Sequence, residues 1–250
     1  MEETGRACYD SFLREAATME QPVAVITGAG RGIGRATAVA LARLGYHLGL
    51  MARSVDELEE TARLSGGGLV CRADVSRAEE VDRAVSAILE RFGRIDAAIH
   101  CAGVAPVRGI AQMSADEWRE VIDTNLSAAF YLCKAVWPAF ERQGGGVVVN
   151  VSSQAARDPF PGFAAYGAAK AGVNLFGLSA AREGEAIGVR VHTVAPAAVE
   201  TEMFRKILSR EQYPTEKTLA PEDVARVIVQ CVTGELKHTS GEVIYIRRGC

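Results

Sequence analysis

Tyr166 and Lys170 stand four residues apart in Tyr166-Gly-Ala-Ala-Lys170, within a segment whose apolar positions Val173, Leu175, Phe176 and Leu178 repeat as in a helix. Positions i and i+4 share a helix face, so a phenol and an ammonium can point into one site. A free phenol has a pKa of about 10, too high for easy proton exchange at neutral pH. A neighbouring ammonium favours the phenolate and lowers that value. A tyrosine so tuned can give a proton to a carbonyl oxygen and take it back in the reverse reaction. Ser153 follows the apolar run Val147–Val151, which places a hydroxyl at the carboxyl end of a strand. Ligands bind at that end in open α/β sheets.

A second constellation suits phosphate. The run Val23–Thr27 leads into Gly28-Ala-Gly30-Arg31-Gly32-Ile33-Gly34, and a helical pattern through Ala36, Val39, Ala40 and Ala42–Leu44 follows. Absent side chains let backbone N–H groups approach a pyrophosphate, and the helix N-terminus favours negative charge. At the end of the second run, Leu48-Gly-Leu-Met-Ala52-Arg53, a carboxylate would accept from the ribose hydroxyls of NAD and repel a 2′-phosphate. Ala52 occupies that place. Arg53 beside it, and Arg31 in the turn, offer planar guanidinium forks for a phosphate, so NADP(H) is expected.

These groups need a scaffold that gathers strand ends. Seven short apolar runs extend along the chain: Val23–Thr27, His47–Met51, Gly68–Arg72, Ile95–His100, Val147–Val151, Arg190–Val194 and Val243–Ile246. Several are continuous rather than alternating, as in strands buried on both faces. Capping-box spacing at Ser54–Glu57, Ser76–Glu79 and Ser114–Glu117 predicts helix starts, as does Pro221. After Ser76, Val81, Ala84, Val85, Ile88, Leu89 and Phe92 form one apolar face. Repeated β-α-β alternation predicts an α/β fold: one Rossmann-type, doubly wound parallel sheet flanked by helices, spanning 22–250. Residues 1–21 read as a partly disordered N-terminal extension, with neither the positive start nor the apolar centre of a signal peptide. Met19 offers an alternative start.

At 250 residues the chain suits one large domain. Its net charge of −3 gives no basic footprint for nucleic acid or an anionic membrane. No apolar run approaches the ~20 residues that span a bilayer. The six cysteines, Cys8, Cys71, Cys101, Cys133, Cys231 and Cys250, form no CxxC and no zinc-like cluster. They read as reduced thiols of a cytoplasmic protein, and no metal is expected.

The glycine spacing is TGxxxGxG rather than GxGxxG, with Gly28, Gly32 and Gly34 in the pattern. In this, and in Ser153, Tyr166 and Lys170 in order and spacing, the chain resembles the short-chain dehydrogenases/reductases. Asn125, in Asp123-Thr-Asn125-Leu, matches the asparagine of that family's tetrad. The resemblance covers about residues 22–250. It implies that tyrosine is the acid/base, serine orients the carbonyl, lysine contacts the nicotinamide ribose and lowers the tyrosine pKa, and asparagine holds a relay water. It further implies cofactor contacts from Gly28, Gly30, Arg31, Gly32, Ile33 and Gly34, from Arg53, Asp74 and Val75, from Cys101, Ala102 and Gly103, from Tyr166 and Lys170, and from Pro196, Val199 and Thr201. Among named activities the chain looks most similar to 3-oxoacyl-[acyl-carrier-protein] reductases. A carbonyl/secondary alcohol pair or an acyl thioester is the expected substrate, and a homotetramer the expected assembly. Trp118, Phe130, Trp137, Phe140, Phe176 and Leu178 are available to its contacts.

The chain departs from the family pattern at His100-Cys101, where two asparagines are usual. Ala197 and His192 replace a glycine and an asparagine, and the ending Arg247-Arg-Gly-Cys250 replaces Asp-Gly-Gly. His100 could add a base, but a structural role is the plainer reading, and nothing nearby in sequence activates Cys101. The rival function is an NADP(H)-binding sensor or scaffold without turnover. Substrate selectivity is expected from Val104–Met113 and Glu202–Leu219, where Arg205, Lys206 and Arg210 could meet an anion or form a solvated helix face.

Overall fold

β-Branched residues and small apolar ones dominate the strands, and the first, VAVIT, is buried throughout. A computed structural model of the chain describes residues 21–249; the extension before residue 21, Cys8, Met19 and Cys250 lie outside them. The strands are β1 (Val23–Thr27), β2 (His47–Ala52), β3 (Leu69–Arg72), β4 (Ala97–His100), β5 (Gly146–Val151), β6 (Val189–Pro196) and β7 (Val243–Ile246). All seven expected runs form strands. They make one sheet in the order β3-β2-β1-β4-β5-β6-β7, with every pairing parallel. The order reverses between β1 and β4, the switch point where a crevice opens beyond the strand ends.

The helices are α1 (Gly32–Ala42), α2 (Val55–Leu64), α3 (Ala78–Phe92), α4 (Ala115–Ile122), α5 (Ala128–Gln143), α6 (Ala164–Gly184), a short α7 (Glu202–Arg205) and α8 (Pro221–Thr233). They cover both faces. Val81, Val85 and Ile88 of α3 and Leu132, Val136 and Phe140 of α5 join one core with Val23, Val25, Val148 and Val191. Leu41 of α1, Leu58 of α2 and Val224 and Ile228 of α8 join the other with Ile26, Leu50, Ile99 and Val149. α1 buries Gly34, Thr37, Ala38 and Leu41, not the Ala36/Val39/Ala40 stripe that the sequence suggests. Residues too small to have shown a pattern allow that close packing.

The helix starts vary. Ser114 forms a complete capping box, accepting from Glu117 N at 3.1 Å while Glu117 accepts from Ser114 N at 2.9 Å. Ser54 accepts from Glu57 N at 3.4 Å, but the Glu57 carboxylate turns to Arg31. Ser76 caps nothing: α3 starts at Ala78 with Arg77 as its N-cap. The Ser76 N–H and hydroxyl both donate to Asp74 Oδ1, at 3.0 and 2.7 Å. A local turn of this kind outcompetes a cap. No helix among the described residues is long and apolar enough to cross a membrane, and no His/Cys/Asp/Glu group among them could hold a metal.

Candidate active site

The glycine turn leaves β1 under tight constraint. Gly28 has φ +65°, and a Cβ on it would lie 2.7 Å from Ala102 N. A Cβ on Gly34 would strike the Gly28 carbonyl, so α1 can begin directly against the turn only with glycine there. Thr61 of α2 donates to the Ala29 carbonyl at 2.9 Å and Arg35 to the Gly30 carbonyl, bracing the turn from behind. The N-cap Arg31 makes no side-chain cap, and the first turn of α1 holds no acid. The positive end of the helix dipole is therefore uncompensated and suits a phosphate group.

Tyr166 and Lys170 occupy the first two turns of α6, which packs on the sheet at Gly177, against Thr193 and Asn150, and on Val121 of α4 through Ala165 and Ala169. The Lys170 ammonium donates to the Val151 carbonyl at 2.8 Å and lies 5.7 Å from the centre of the Tyr166 ring. Ser152 donates to the Lys170 carbonyl at 3.1 Å, pinning α6 to the end of β5. Burial pushes the Lys170 ammonium down to about 8. Burial also raises the phenol of Tyr166, and a hydrogen bond from Ser153 opposes that shift. Ser153 thus adds to the expected tuning group, Lys170, a second residue that acts on the phenol.

Asn125 is fully buried in a single π-helical turn, Asp123–Ser127, between α4 and α5. Its Nδ2 donates to the Val104 carbonyl at 2.8 Å and the Val121 carbonyl at 2.9 Å, while Oδ1 is buried without a hydrogen-bond partner. A Cβ on Gly103 would lie 2.7 Å from that oxygen and 3.7 Å from Lys170 Nζ. The amide oxygen and the ammonium thus both approach Gly103 from beneath. A buried acceptor of this kind calls for a ligand or an ordered water.

His100 is fully buried, with Nδ1 2.9 Å from Thr27 Oγ1. Burial, with the Lys170 charge nearby, brings its pKa down to about 3. It fills a structural position beneath the site as a neutral ring. His192 is also buried, with Nδ1 3.1 Å from Thr239 Oγ1, and burial and Arg190 take it down to about 4. Burial pushes the Cys101 thiol up to about 12, so it is not a thiolate.

One cavity of about 700 Å³ opens at the strand ends, and every expected site residue lines it. Gly28, Gly30, Arg31, Gly32, Ile33 and Gly34 come from the turn, and Arg53, Asp74 and Val75 from the ends of β2 and β3. Cys101, Ala102 and Gly103 follow β4; Pro196, Val199 and Thr201 close the far side. Asn125, Ser153, Tyr166 and Lys170 share the space. A glycine cradle and an open helix terminus fit a phosphate-bearing dinucleotide. Arg31 is not free: it pairs with Glu202 at 2.8 Å and Glu57 at 3.5 Å. Of the expected selectivity loops, Val104 and Ala105 and much of 202–217 line the cavity. Sequence reasoning missed the wall after β5, with Asp158, Phe160 and Phe163, and the pair Arg247–Arg248. Their chemistry is ordinary, and only long-range packing brings them to the site. Arg205 is engaged by Glu200 and by the Leu208, Ser209 and Tyr213 carbonyls. Arg210 leans on Glu200 at 3.6 Å. Both hold the segment's shape.

The chain matches the family model for short chain dehydrogenases over residues 22–212. It is 35% identical over 202 residues to an uncharacterized oxidoreductase of Listeria innocua, covering 78% of this chain and 81% of the relative. A 3-oxoacyl-[acyl-carrier-protein] reductase of Synechocystis is 35% identical over 214 residues, covering 82% and 87%. The crystal structure of levodione reductase superposes with a TM-score of 0.85 at 28% identity, covering 90% and 96%. With that fold, that cradle and the Ser153, Tyr166 and Lys170 side chains on one cavity, the chain belongs to the short-chain dehydrogenase/reductase family of oxidoreductases.

Proposed function

We propose that the protein is an NADP(H)-dependent oxidoreductase that interconverts a carbonyl compound and its secondary alcohol. The observation that carries this reading is the convergence of Tyr166, Ser153, Lys170 and Asn125 on the cavity that the glycine turn also lines. Gly28 to Gly34, Asp74, Val75, Cys101 to Gly103, Pro196, Val199 and Thr201 would hold the cofactor, with Arg31 and Arg53 on the 2′-phosphate. When bound, nicotinamide supplies or accepts the hydride. Ser153 holds the substrate oxygen by a hydrogen bond, and Tyr166 Oη gives that oxygen a proton in reduction and removes it in oxidation. Lys170 places a positive charge beside the phenol, and Asn125 Oδ1 holds a water for proton resupply. Relatives named 3-oxoacyl-[acyl-carrier-protein] reductase support a 3-oxoacyl thioester as one candidate substrate.

The domain spans 22–250, after an extension over 1–21. A homotetramer in the cytoplasm is the proposed setting. The test is NADPH oxidation against a panel of ketones and acyl thioesters, with Tyr166→Phe as control. General acid–base catalysis contributes about 10²–10⁴-fold, so the variant should lose nearly all turnover while still binding NADPH. Retention of more than about a tenth of activity would remove Tyr166 as proton donor. Saturable NADPH binding without oxidation across the panel would favour a sensor.

A further inference from the structure

We propose that the substrate of this site carries an anionic group at the far end of an apolar body, and that Lys217, Arg247 and Arg248 receive it. The inference rests on the oxidoreductase reading and narrows its substrate class. An aromatic row leads out from the phenol: Phe163 lies 5.4 Å from Tyr166, ring centre to ring centre, and Phe160 lies 5.9 Å from Phe163. Phe204 and Tyr213, which also line the cavity, meet edge to face at 5.4 Å, and Ile207 and Leu208 line it too. These walls suit a hydrophobic or aromatic chain next to the reacting carbon.

The charges that line the cavity are unbalanced. β7 ends at Ile246, paired with Pro196, and its carbonyl accepts from Ala197 N at 2.9 Å. Arg247 and Arg248 therefore emerge beside the segment that follows β6. Arg248 Nη1 donates to the Thr218 carbonyl at 2.9 Å, which ties it next to Lys217. All three cations line the cavity, and among the described residues none pairs with a carboxylate. Arg205 and Arg210 are held by Glu200, and Arg31 by Glu57 and Glu202. Over the whole lining six cations meet four acids, Glu57, Asp74, Asp158 and Glu202, which leaves an excess of two positive charges. In a cleft with apolar walls such an excess concentrates anions and orients them. Arginine forks suit carboxylate and phosphate alike.

The test is calorimetric titration of the enzyme–NADP⁺ complex with 4-oxo-4-phenylbutanoate, its ethyl ester, and 4-oxo-4-phenylbutyl phosphate. Wild type is compared with a Lys217→Gln, Arg247→Gln, Arg248→Gln variant, its fold checked by circular dichroism. At least one anion should bind roughly tenfold or more tightly than the ester, the advantage should shrink as salt rises, and it should fall below about threefold in the variant. The tighter anion tells whether carboxylate or phosphate is the natural group. An ester that binds as well as both anions, no binding by any of the three, or a preference that survives in the variant would overturn the proposal. So would a loss of NADP⁺ affinity in the variant, which would assign the cations to the cofactor. The oxidoreductase reading fails by a separate sign: no NADPH oxidation sensitive to Tyr166→Phe.

Discussion

In the proposed preference for NADP(H), Arg31 is the residue at which partners compete. Its ion pairs with Glu57 and Glu202 involve side chains that are a third or more exposed, and exposed pairs contribute about 0–1 kcal/mol. A charged hydrogen bond to phosphate is worth about 1.5–3 kcal/mol, so a bound 2′-phosphate is expected to draw the guanidinium away from the two glutamates. Ala52 offers no carboxylate to repel it, and Arg53 is exposed at the rim. NADPH should therefore bind at least about tenfold more tightly than NADH at one fixed salt concentration. Ala52→Asp with Arg53→Ala should move the ratio toward NADH. Equal dissociation constants in the wild type would show that neither arginine reads the phosphate. The same residue-level view accounts for Lys170. Its ammonium donates to a backbone acceptor on another element, the Val151 carbonyl, which cannot be read from the Tyr166–Lys170 spacing, although the shared helix face can.

Elements here are positioned by what they lack. α1 starts against the turn because Gly34 has no Cβ to meet the Gly28 carbonyl. Overpacking of this kind costs about 1–3 kcal/mol. Gly34→Ala should lower stability by that order in urea unfolding and weaken NADPH binding as the turn shifts. An unchanged midpoint and affinity would mean that the turn relaxes freely. The π turn at Asp123–Ser127 shows a different limit. It interrupts the ordinary helical bond pattern between α4 and α5 and sets Asn125 inward. π turns of this sort recur at functional sites, yet Asp123-Thr-Asn-Leu-Ser127 carries no local composition signal for one. Ser76 was misread for a related reason: Asp74 two residues earlier offered its hydroxyl a closer partner.

For the whole molecule, the apolar surface bears on assembly. Trp118 is 43% exposed, Phe130 48% and Leu175 69%, and Phe130 meets Phe176 edge to face at 6.2 Å. Phe140 is fully buried in its own subunit and is not available for contacts. Light scattering should give the mass of a tetramer at micromolar concentration, and Phe130→Asp with Leu175→Asp should dissociate it. A monomeric wild type would overturn that assembly. The sheet was readable from sequence because a doubly covered parallel strand is a run of buried residues that local hydrophobicity reports. The glycine turn and the Tyr166/Lys170 pair were readable for the same reason, being local in the chain. The wall at Phe160 and Phe163, the Arg31–Glu202 pair and the two arginines after β7 were not. Each depends on segments that meet only after the crossovers have formed.

The neutral histidines in the sheet carry a cost that appears in acid. His100 and His192 stay unprotonated in the fold until about pH 3 and about pH 4. In the unfolded chain each takes a proton near pH 6.5. Between these values the unfolded state binds more protons, so stability rises with pH through that window and is lost as pH falls. The two together should remove on the order of 3 kcal/mol between pH 7 and pH 5. The protein is thus expected to be acid-labile well above the range where carboxylates titrate. Replacing both with the family's asparagine, His100→Asn and His192→Asn, should flatten the slope of unfolding free energy against pH from 7 to 5. If the variant falls off as steeply as the wild type in urea titrations at matched pH, the lability lies elsewhere. Acidification from pH 7 to pH 5 should thus narrow the margin of the fold while Tyr166 and Lys170 keep their protonated forms.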